Sequence, residues 1–145
     1  MIREAKNEDL QDILTLYQQL FPEEDYSRPE SFTEVWSEII NDRKIACFIA
    51  YHGAKPASTC LITIIPNLTR EKRPFAVIEN VITHPDCRQM GYGRMTMETA
   101  IEYAKKRNCY KIILMSGMPR KGAHLFYERL GFDGNSKKGF QLRLP

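Results

Sequence analysis

The chain has 145 residues with a formal net charge of +3, and 43% of them are hydrophobic and 27% charged, which predicts one globular domain over residues 1–145. No run approaches the roughly 20 consecutive apolar residues of a transmembrane helix, so no membrane contact is expected. The basic residues are scattered rather than gathered in a stripe, which argues against nucleic acid as a partner.

The N-terminal third predicts one short strand and two helices. A short strand is expected at 2–5, and apolar side chains then recur at helical spacing between 7 and 21. Pro22 ends this first helix, and the same spacing returns at 32–40. Two helices therefore precede the main part of the sheet.

The middle of the chain predicts three consecutive strands. Runs rich in β-branched and aromatic residues cover 44–51, 57–65 and 75–83, and such runs are typical of strands. The connections between them are short and polar. We therefore expect an antiparallel meander.

The C-terminal part predicts alternating helices and strands. Helical stripes lie at 92–107 and 123–130, and strand-like runs lie at 110–115 and 139–144. A helix that links two strands is typical of a parallel crossover. The whole order, βααβββαβαβ, predicts an α/β fold with a mixed sheet.

Gly91 and Gly93 follow a predicted strand and open a predicted helix. Unpaired backbone N–H groups at a helix start bind anions, and glycine allows a phosphate to approach closely. A Walker A loop would need Lys and Ser or Thr next, and a dinucleotide fingerprint would need glycine where Thr96 stands. A phosphate loop of another kind and a simple structural turn both remain open.

Two longer motifs frame this region. In RQMGYG, Arg88, Gly91 and Gly93 occupy three fixed positions, and AHLFYERLGF follows at 123–132. Together they resemble the two signatures of the GNAT superfamily of acetyl-CoA-dependent N-acetyltransferases, most strongly over 75–132. The resemblance implies a mostly antiparallel sheet that splays at the cofactor strand, with helices on both faces.

The same resemblance implies that acetyl-CoA is the cofactor, consumed as a co-substrate. Its pyrophosphate is expected at the loop formed by Arg88, Gln89, Met90, Gly91, Tyr92, Gly93 and Arg94. Its pantetheine arm is expected to pair with the backbone of Val81, Ile82 and Thr83. Arg120 stands where the family often has asparagine, which leaves a phosphate contact by Arg120 or Lys121 as the alternative.

Glu79 interrupts an otherwise apolar strand. Burying an unpaired carboxylate costs several kcal/mol, so Glu79 must be paired, exposed to a cleft, or used in catalysis. An acceptor amine is protonated at neutral pH, and a nearby carboxylate can act as its general base. Histone-acetylating members place their acid two residues earlier, at Val77 here. A general base and an exposed or ion-paired glutamate both remain open.

Further site residues follow from the resemblance. Tyr127 matches the tyrosine that protonates the departing thiolate, although its helical phase also fits a core residue. Small-molecule members such as glucosamine 6-phosphate N-acetyltransferase carry an acidic pair at the positions of Glu79 and Asn80, which assigns Asn80 to the substrate. The connection between the first two helices usually walls the acceptor site, so Glu24, Asp25 and Tyr26 are candidates to contact a cationic amine, or are simply solvated.

These features predict an acyltransferase that moves an acetyl group from acetyl-CoA to a primary amine, most simply of a small molecule, by direct attack in a ternary complex. A peptide or protein acetyltransferase and a non-catalytic acyl-CoA-binding domain remain alternatives. The four cysteines show no metal-ligand spacing and no nucleophile motif, so no metal is expected. We further expect a cytoplasmic protein with reduced thiols, and a homodimer stays open.

Overall fold

The computed structural model describes all 145 residues, Met1–Pro145. They form two compact units, Met1–Ile113 and Leu114–Pro145, which are described separately below. Each helix is either too short or too polar to cross a lipid bilayer.

The first unit is built on a five-stranded sheet. Its strands are β1 (Ile2–Glu4), β2 (Ile45–His52), β3 (Lys55–Ile65), β4 (Phe75–Thr83) and β5 (Ile112–Ile113). They lie side by side in chain order; the first four are antiparallel, and β5 is parallel to β4. The predicted mixed, mostly antiparallel sheet is therefore confirmed.

Four helices belong to this unit. They are α1 (Leu10–Leu20), α2 (Thr33–Asn41), the single turn α3 (Thr69–Lys72) and α4 (Tyr92–Lys106), with short 3-10 turns at Asn7–Asp9, Pro29–Phe32 and Pro85–Cys87. The α3 turn contains left-handed residues, so it is a tight connection rather than a regular helix.

Helices α1 and α2 cover one face of the sheet. Their apolar stripes meet the side chains of β2 and β4 that point to this face, which include Cys47, Ile49 and Ile82. Trp36 of α2 is buried there, and its indole N–H donates to the Asn7 carbonyl at 3.1 Å. Burying such side chains contributes roughly 1.5–3 kcal/mol each, which explains why the helical spacing predicted these elements.

Helix α4 covers the opposite face. Met97, Ala100 and Ala104 are buried on its inner side. The ring of Tyr103 meets Phe48 of β2 edge to face, with centroids 5.4 Å apart. Because α4 connects β4 to the parallel strand β5, it is the crossover helix that the sequence predicts, and the sheet carries helices on both faces.

Asp9 is the buried acid of the first unit, at 3% exposure. The Arg3 guanidinium donates to both of its carboxylate oxygens, at 2.6 and 2.8 Å, and the Lys6 amide donates at 2.7 Å. The Tyr51 hydroxyl lies 3.0 Å from it. The hydrogen bonds from Arg3, followed by those from Lys6 and Tyr51, outweigh burial and lower the pKa of Asp9 to about 2.

Strand β4 contains a β-bulge. Glu79 faces Leu61 of β3, whereas Ile82 faces Thr59, so β4 carries one extra residue between these two pairs. Asn80 lies within the bulge and adopts the left-handed conformation, with φ of 53°. Asparagine tolerates this conformation better than most residues, and a bulge redirects the neighbouring side chains.

The pairing of β4 with β5 is short. Only Ala76 with Ile112 and Val77 with Ile113 are in register, so β5 is shorter than the predicted run at 110–115. The stretch of β4 from Ile78 to Thr83 has no ladder on this side. The sheet therefore opens along the end of β4, as a splayed sheet requires.

The second unit contains helix α5 (Lys121–Arg129). The chain leaves this helix through Gly131, which has φ of 98°. The ring of Tyr127 packs against Phe126 and Phe132, with centroids 5.3 and 6.0 Å apart.

The predicted closing strand at 139–144 is wrong, because this segment has no regular secondary structure. Its apolar residues alternate as in a strand, yet Phe140, Leu142 and Leu144 are each more than 80% exposed. A strand needs a neighbouring strand to accept its backbone hydrogen bonds. The alternation alone could not reveal that this neighbour is missing.

Candidate active site

The glycine loop connects the end of β4 to the start of α4. It begins after the 3-10 turn Pro85–Cys87, and it contains two residues in the left-handed region, Gln89 with φ of 61° and Gly91 with φ of 86°. Glycine adopts this conformation without strain. The turn therefore explains Gly91 by itself, and a ligand needs further support.

That support comes from the backbone amides. The backbone amides from Gln89 to Arg94 donate to no acceptor within the chain. The next amide, that of Met95, donates to the Gly91 carbonyl at 3.0 Å and begins the hydrogen-bond pattern of the helix. A Cβ atom placed on Gly91 would meet nothing within 4 Å, so open space faces the loop. Free amides at the start of a 15-residue helix fit a pyrophosphate.

The side chains of the loop are mostly solvent-facing. Arg88, Gln89 and Met90 are exposed. The Arg94 guanidinium donates to Glu98 at 2.7 Å, one turn further along α4, and the Tyr92 hydroxyl lies 2.8 Å from Nδ1 of His52. An anion bound at this loop would thus contact mainly backbone amides, with Arg88 as a nearby exposed cation.

Glu79 lies beside the bulge of β4. Its side chain is exposed and forms no ion pair or hydrogen bond. Directly opposed residues of neighbouring strands share one face of a sheet, and Leu61, opposite Glu79, packs against the core under α1 and α2. Of the explanations that the sequence leaves open, ion pairing is excluded. An exposed surface glutamate and a general base both remain, with the carboxylate on the α1 side of the sheet.

Asn80 contacts a tyrosine of α1. The Tyr17 hydroxyl is buried, which raises its pKa, and a hydrogen bond with the Asn80 side chain partly offsets this effect. A phenol held in this way keeps its proton at neutral pH. The bulge thus brings Glu79, Asn80 and Tyr17 to the same side of the sheet.

The end of β4 contains the three residues expected to pair with pantetheine. Ile82 is buried in the core, Val81 is partly buried, and the Thr83 hydroxyl donates to Ser58 at 3.1 Å. Their side chains therefore pack or form hydrogen bonds within the protein. Their backbone, on the side that β5 leaves open, fits an extended ligand that pairs as a strand does.

The acidic connection between α1 and α2 has its own internal contacts. The Tyr26 hydroxyl donates to Glu24 at 2.9 Å, and Asp25 accepts from the Ser27 amide at 2.9 Å. Partial burial, together with Glu24, raises the pKa of Tyr26 to about 12. The Tyr26 ring packs against Phe32, with centroids 5.7 Å apart.

Two predicted site residues belong to the second unit. Tyr127 is 8% exposed and packs among aromatic rings, as a core residue does. Arg120 is exposed and directly precedes α5, where its carbonyl accepts from the His124 amide at 3.1 Å. The first unit contains the predicted residues of β4, the loop and the acidic connection, whereas Tyr127 and Arg120 belong to the second unit.

Sequence reasoning missed Tyr17 and His52. Tyr17 belongs to the apolar stripe of α1, and His52 ends a strand, so neither stands out by type or spacing. Their partners are 63 and 40 positions away, at Asn80 and Tyr92. Only an expectation that β4 bulges at Asn80 could have pointed to Tyr17.

The buried thiols Cys47 and Cys60 are poor candidates for a nucleophile. All four cysteines are free thiols, and burial raises the pKa of Cys47 to about 11 and that of Cys60 further. A thiol with a raised pKa is a poor nucleophile at neutral pH. No group of His, Cys, Asp or Glu residues is arranged to hold a metal ion.

Comparison with known proteins agrees with this architecture. The model of the acetyltransferase (GNAT) family matches residues 10–132. An uncharacterized N-acetyltransferase of Methanocaldococcus jannaschii is 34% identical over 137 residues, which are 91% of this chain and 60% of that protein. The chain therefore spans about three fifths of the length of this relative.

Two further comparisons concern structure and substrate. A putative acetyltransferase from Agrobacterium tumefaciens superposes with a TM-score of 0.94 at 40% identity, covering 99% of both chains. A glucosamine 6-phosphate N-acetyltransferase of Trypanosoma brucei brucei is 34% identical over 83 residues, 57% of this chain and 52% of that protein.

The matching family model and the similar N-acetyltransferases define the class as acyltransferases. The chain belongs to the acetyltransferase (GNAT) family.

Proposed function

We propose that this protein transfers the acetyl group of acetyl-CoA to a primary amine of a small molecule, by direct attack in a ternary complex. The observation that carries the proposal is Glu79, an exposed carboxylate without a partner on the strand that leads into the glycine loop. The proposed functional domain comprises residues 1–145 and includes both motifs.

The donor would bind along the end of β4 and the loop. Free amides from Gln89 to Arg94 support a pyrophosphate there, and the open side of β4 at Val81, Ile82 and Thr83 supports an extended pantetheine arm. Arg88 and Arg120 are proposed as cationic contacts to phosphate groups. Acetyl-CoA supplies the activated thioester, and these residues bind and orient it.

Glu79 is proposed as the general base. An amine with a pKa near 10 is protonated at pH 7, and reaction through the rare free base alone would cost about 4 kcal/mol. Glu79 would take this proton directly or through one water. The amine nitrogen then attacks the carbonyl carbon of the thioester, and a backbone N–H of β4 is proposed to stabilise the oxygen that gains negative charge.

Collapse of the tetrahedral intermediate breaks the C–S bond and leaves a thiolate. Tyr127 is proposed to give this thiolate its proton, on the basis of its place in the second motif. The nitrogen of the intermediate gives up its second proton to solvent, and Glu79 and Tyr127 return to their starting protonation states by exchange with solvent. The products are the acetylated amine, free coenzyme A and one proton, and no covalent enzyme intermediate is required. No cysteine lies in a motif that would supply a nucleophile, which supports this direct route.

The acceptor would lie on the α1 side of β4. Asn80 is proposed to orient it, and Glu24, Asp25 and Tyr26 are proposed to attract a cationic amine. The similarity to the trypanosomal glucosamine 6-phosphate N-acetyltransferase supports a small-molecule acceptor. The free thiols support a cytoplasmic location, and a homodimer is compatible with the exposed apolar side chains at 139–144.

Two measurements test this function in sequence. Titration calorimetry with acetyl-CoA should give a dissociation constant in the micromolar range, and absence of binding would contradict the proposal. Thiol release is then followed with spermidine, glucosamine 6-phosphate, free amino acids and short peptides. Turnover of a small amine is expected. Turnover of peptides alone would indicate a peptide acetyltransferase, and binding without any turnover would indicate an acyl-CoA-binding domain.

A further inference from the structure

The tip of the β2–β3 hairpin, residues 52–55, lies against the glycine loop. The hairpin turns tightly at Gly53, which has φ of 60°, and His52 pairs with Lys55 in the ladder. The tip is far from the loop in sequence and carries two side chains that can be charged. Neither of the two sequence motifs includes it.

His52 contacts the loop at its C-terminal end. Its Nδ1 atom lies 2.8 Å from the hydroxyl of Tyr92, the first residue of α4. The two rings also meet edge to face, with centroids 5.7 Å apart and planes at 73°. The start of the helix is therefore held by one hydrogen bond and one ring contact.

Lys55 contacts the loop at its N-terminal end. Its ammonium donates to Asp86 at 2.5 Å, and Asp86 lies in the 3-10 turn that precedes the loop. The Asp86 amide in turn donates to His84 at 3.2 Å. The hairpin tip thus touches the chain on both sides of the segment from Cys87 to Gly91.

The segment from Cys87 to Gly91 has few contacts of its own that would fix its conformation. It contains left-handed backbone at Gln89 and Gly91, and its amides from Gln89 onward have no acceptor within the chain. Ordering one residue of backbone costs roughly 1–2 kcal/mol in entropy. A loop whose ends are fixed beforehand pays less of this cost when a ligand binds.

We propose that His52 and Lys55 are positioning residues for the phosphate-bearing part of the acyl donor, because they hold both ends of the glycine loop in its binding conformation. This inference rests on the proposed function. It adds the hairpin tip to the donor site and makes a specific claim: the hairpin matters for donors that carry the pyrophosphate and not for donors that lack it.

A purely structural role would act differently. The Lys55–Asp86 pair is exposed, with 42% and 71% of the two side chains accessible, and exposed pairs contribute little to folding stability. Loss of either contact should leave the sheet intact. The effect should then appear in donor binding rather than in the melting temperature.

The test compares two donors, acetyl-CoA and S-acetylpantetheine, which lacks the pyrophosphate and the nucleotide. The variants are His52→Ala and Lys55→Met, and spermidine or another amine accepted by the wild type serves as acceptor. We expect each variant to raise KM for acetyl-CoA about fivefold, the size of one lost hydrogen bond, with kcat unchanged. KM for S-acetylpantetheine should not change.

Three controls make the result specific. Lys105→Ala removes another exposed pair of the first unit, in which Lys105 donates to Glu102 at 2.7 Å, and it should change neither KM. His52→Gln keeps a hydrogen-bonding group and should recover part of the affinity. Because His52 and Tyr92 share one contact, His52→Ala combined with Tyr92→Phe should cost less than the sum of the two single effects.

The outcomes separate this inference from the proposed function. If the wild type binds no acetyl-CoA, the proposed function fails. If the wild type turns over acetyl-CoA and both variants match it, the positioning role is wrong and the function stands. Equal losses with both donors, or a lowered melting temperature that explains the loss, would also overturn the positioning role.

Discussion

Two carboxylates on the α1 side of the same sheet have opposite environments. Asp9 is 3% exposed and is held by Arg3, the Lys6 amide and Tyr51. Glu79 is exposed and has no partner. A buried acid must be satisfied or it destabilises the fold. An exposed acid without a partner does not restrain the fold, so its side chain remains accessible to a ligand.

The contrast predicts that Glu79 matters for rate and Asp9 for stability. The largest effect is expected for Glu79→Gln, which keeps the size of the side chain and removes the base. Its kcat should fall by about 100- to 1,000-fold, the range typical of lost general-base catalysis. Affinity for acetyl-CoA, measured by calorimetry, should stay the same.

The matched control for this substitution is Glu4→Gln. Glu4 is also an exposed strand glutamate of the first unit, and its replacement should leave kcat unchanged. If Glu79→Gln retains wild-type kcat, Glu79 is an ordinary surface residue, and the proposal that it acts as the general base is wrong.

Asp9→Asn is expected to act on stability instead. The substitution leaves Arg3 without its anionic partner, which should lower the free energy of unfolding by about 2 kcal/mol, less than for a fully buried pair because Arg3 is 30% exposed. Urea unfolding measures this loss. Turnover per folded molecule should be unchanged, and Glu8→Gln, at the exposed neighbouring acid, should have no effect on either.

The pH dependence of stability gives the sign of the Asp9 contribution. Folding lowers the pKa of Asp9 from 3.8 to about 2. The contribution of Asp9 to the free energy of unfolding is therefore present above pH 3.8 and is lost as the pH falls towards 2. Between these values the wild type should lose about 1–2 kcal/mol more than Asp9→Asn. Parallel acid unfolding curves would contradict this account.

The smallest effects are expected at Asn80, which shapes the bulge beside Glu79. Asn80→Ala places an alanine at φ of 53°, which should cost about 1 kcal/mol of stability. Asn80→Gly tolerates this conformation, so its melting temperature should stay closer to that of the wild type. Both remove the amide that contacts Tyr17, and equal kinetic defects in the two would assign the defect to the amide rather than to the backbone.

Much of this architecture could be predicted from local patterns. The three β-branched runs became β2, β3 and β4 with boundaries that differ by at most two residues, because apolar side chains are buried on both faces of the sheet. The glycine loop was predictable because its motif is local. The family assignment rested on two such motifs.

The features of the fold and the site that could not be predicted depend on contacts between distant parts of the chain. The run at 139–144 has a strand-like alternation but lacks a neighbouring strand, and β5 shrinks to Ile112–Ile113 because its pairing with β4 stops there. The bulge at Asn80 is a shift of register against β3, and the Asn80 side chain contacts Tyr17, which is 63 positions away. The hairpin contacts of His52 and Lys55 likewise join separate segments.

The most direct test of Glu79 as the base is the pH dependence of the ratio of kcat/KM between the wild type and Glu79→Gln, with acetyl-CoA and the best amine of the panel. As the pH rises from about 7 towards the amine pKa near 10, the free amine becomes abundant and needs the base less. The account predicts that the ratio falls steadily over this range. A ratio that stays constant with pH would contradict it.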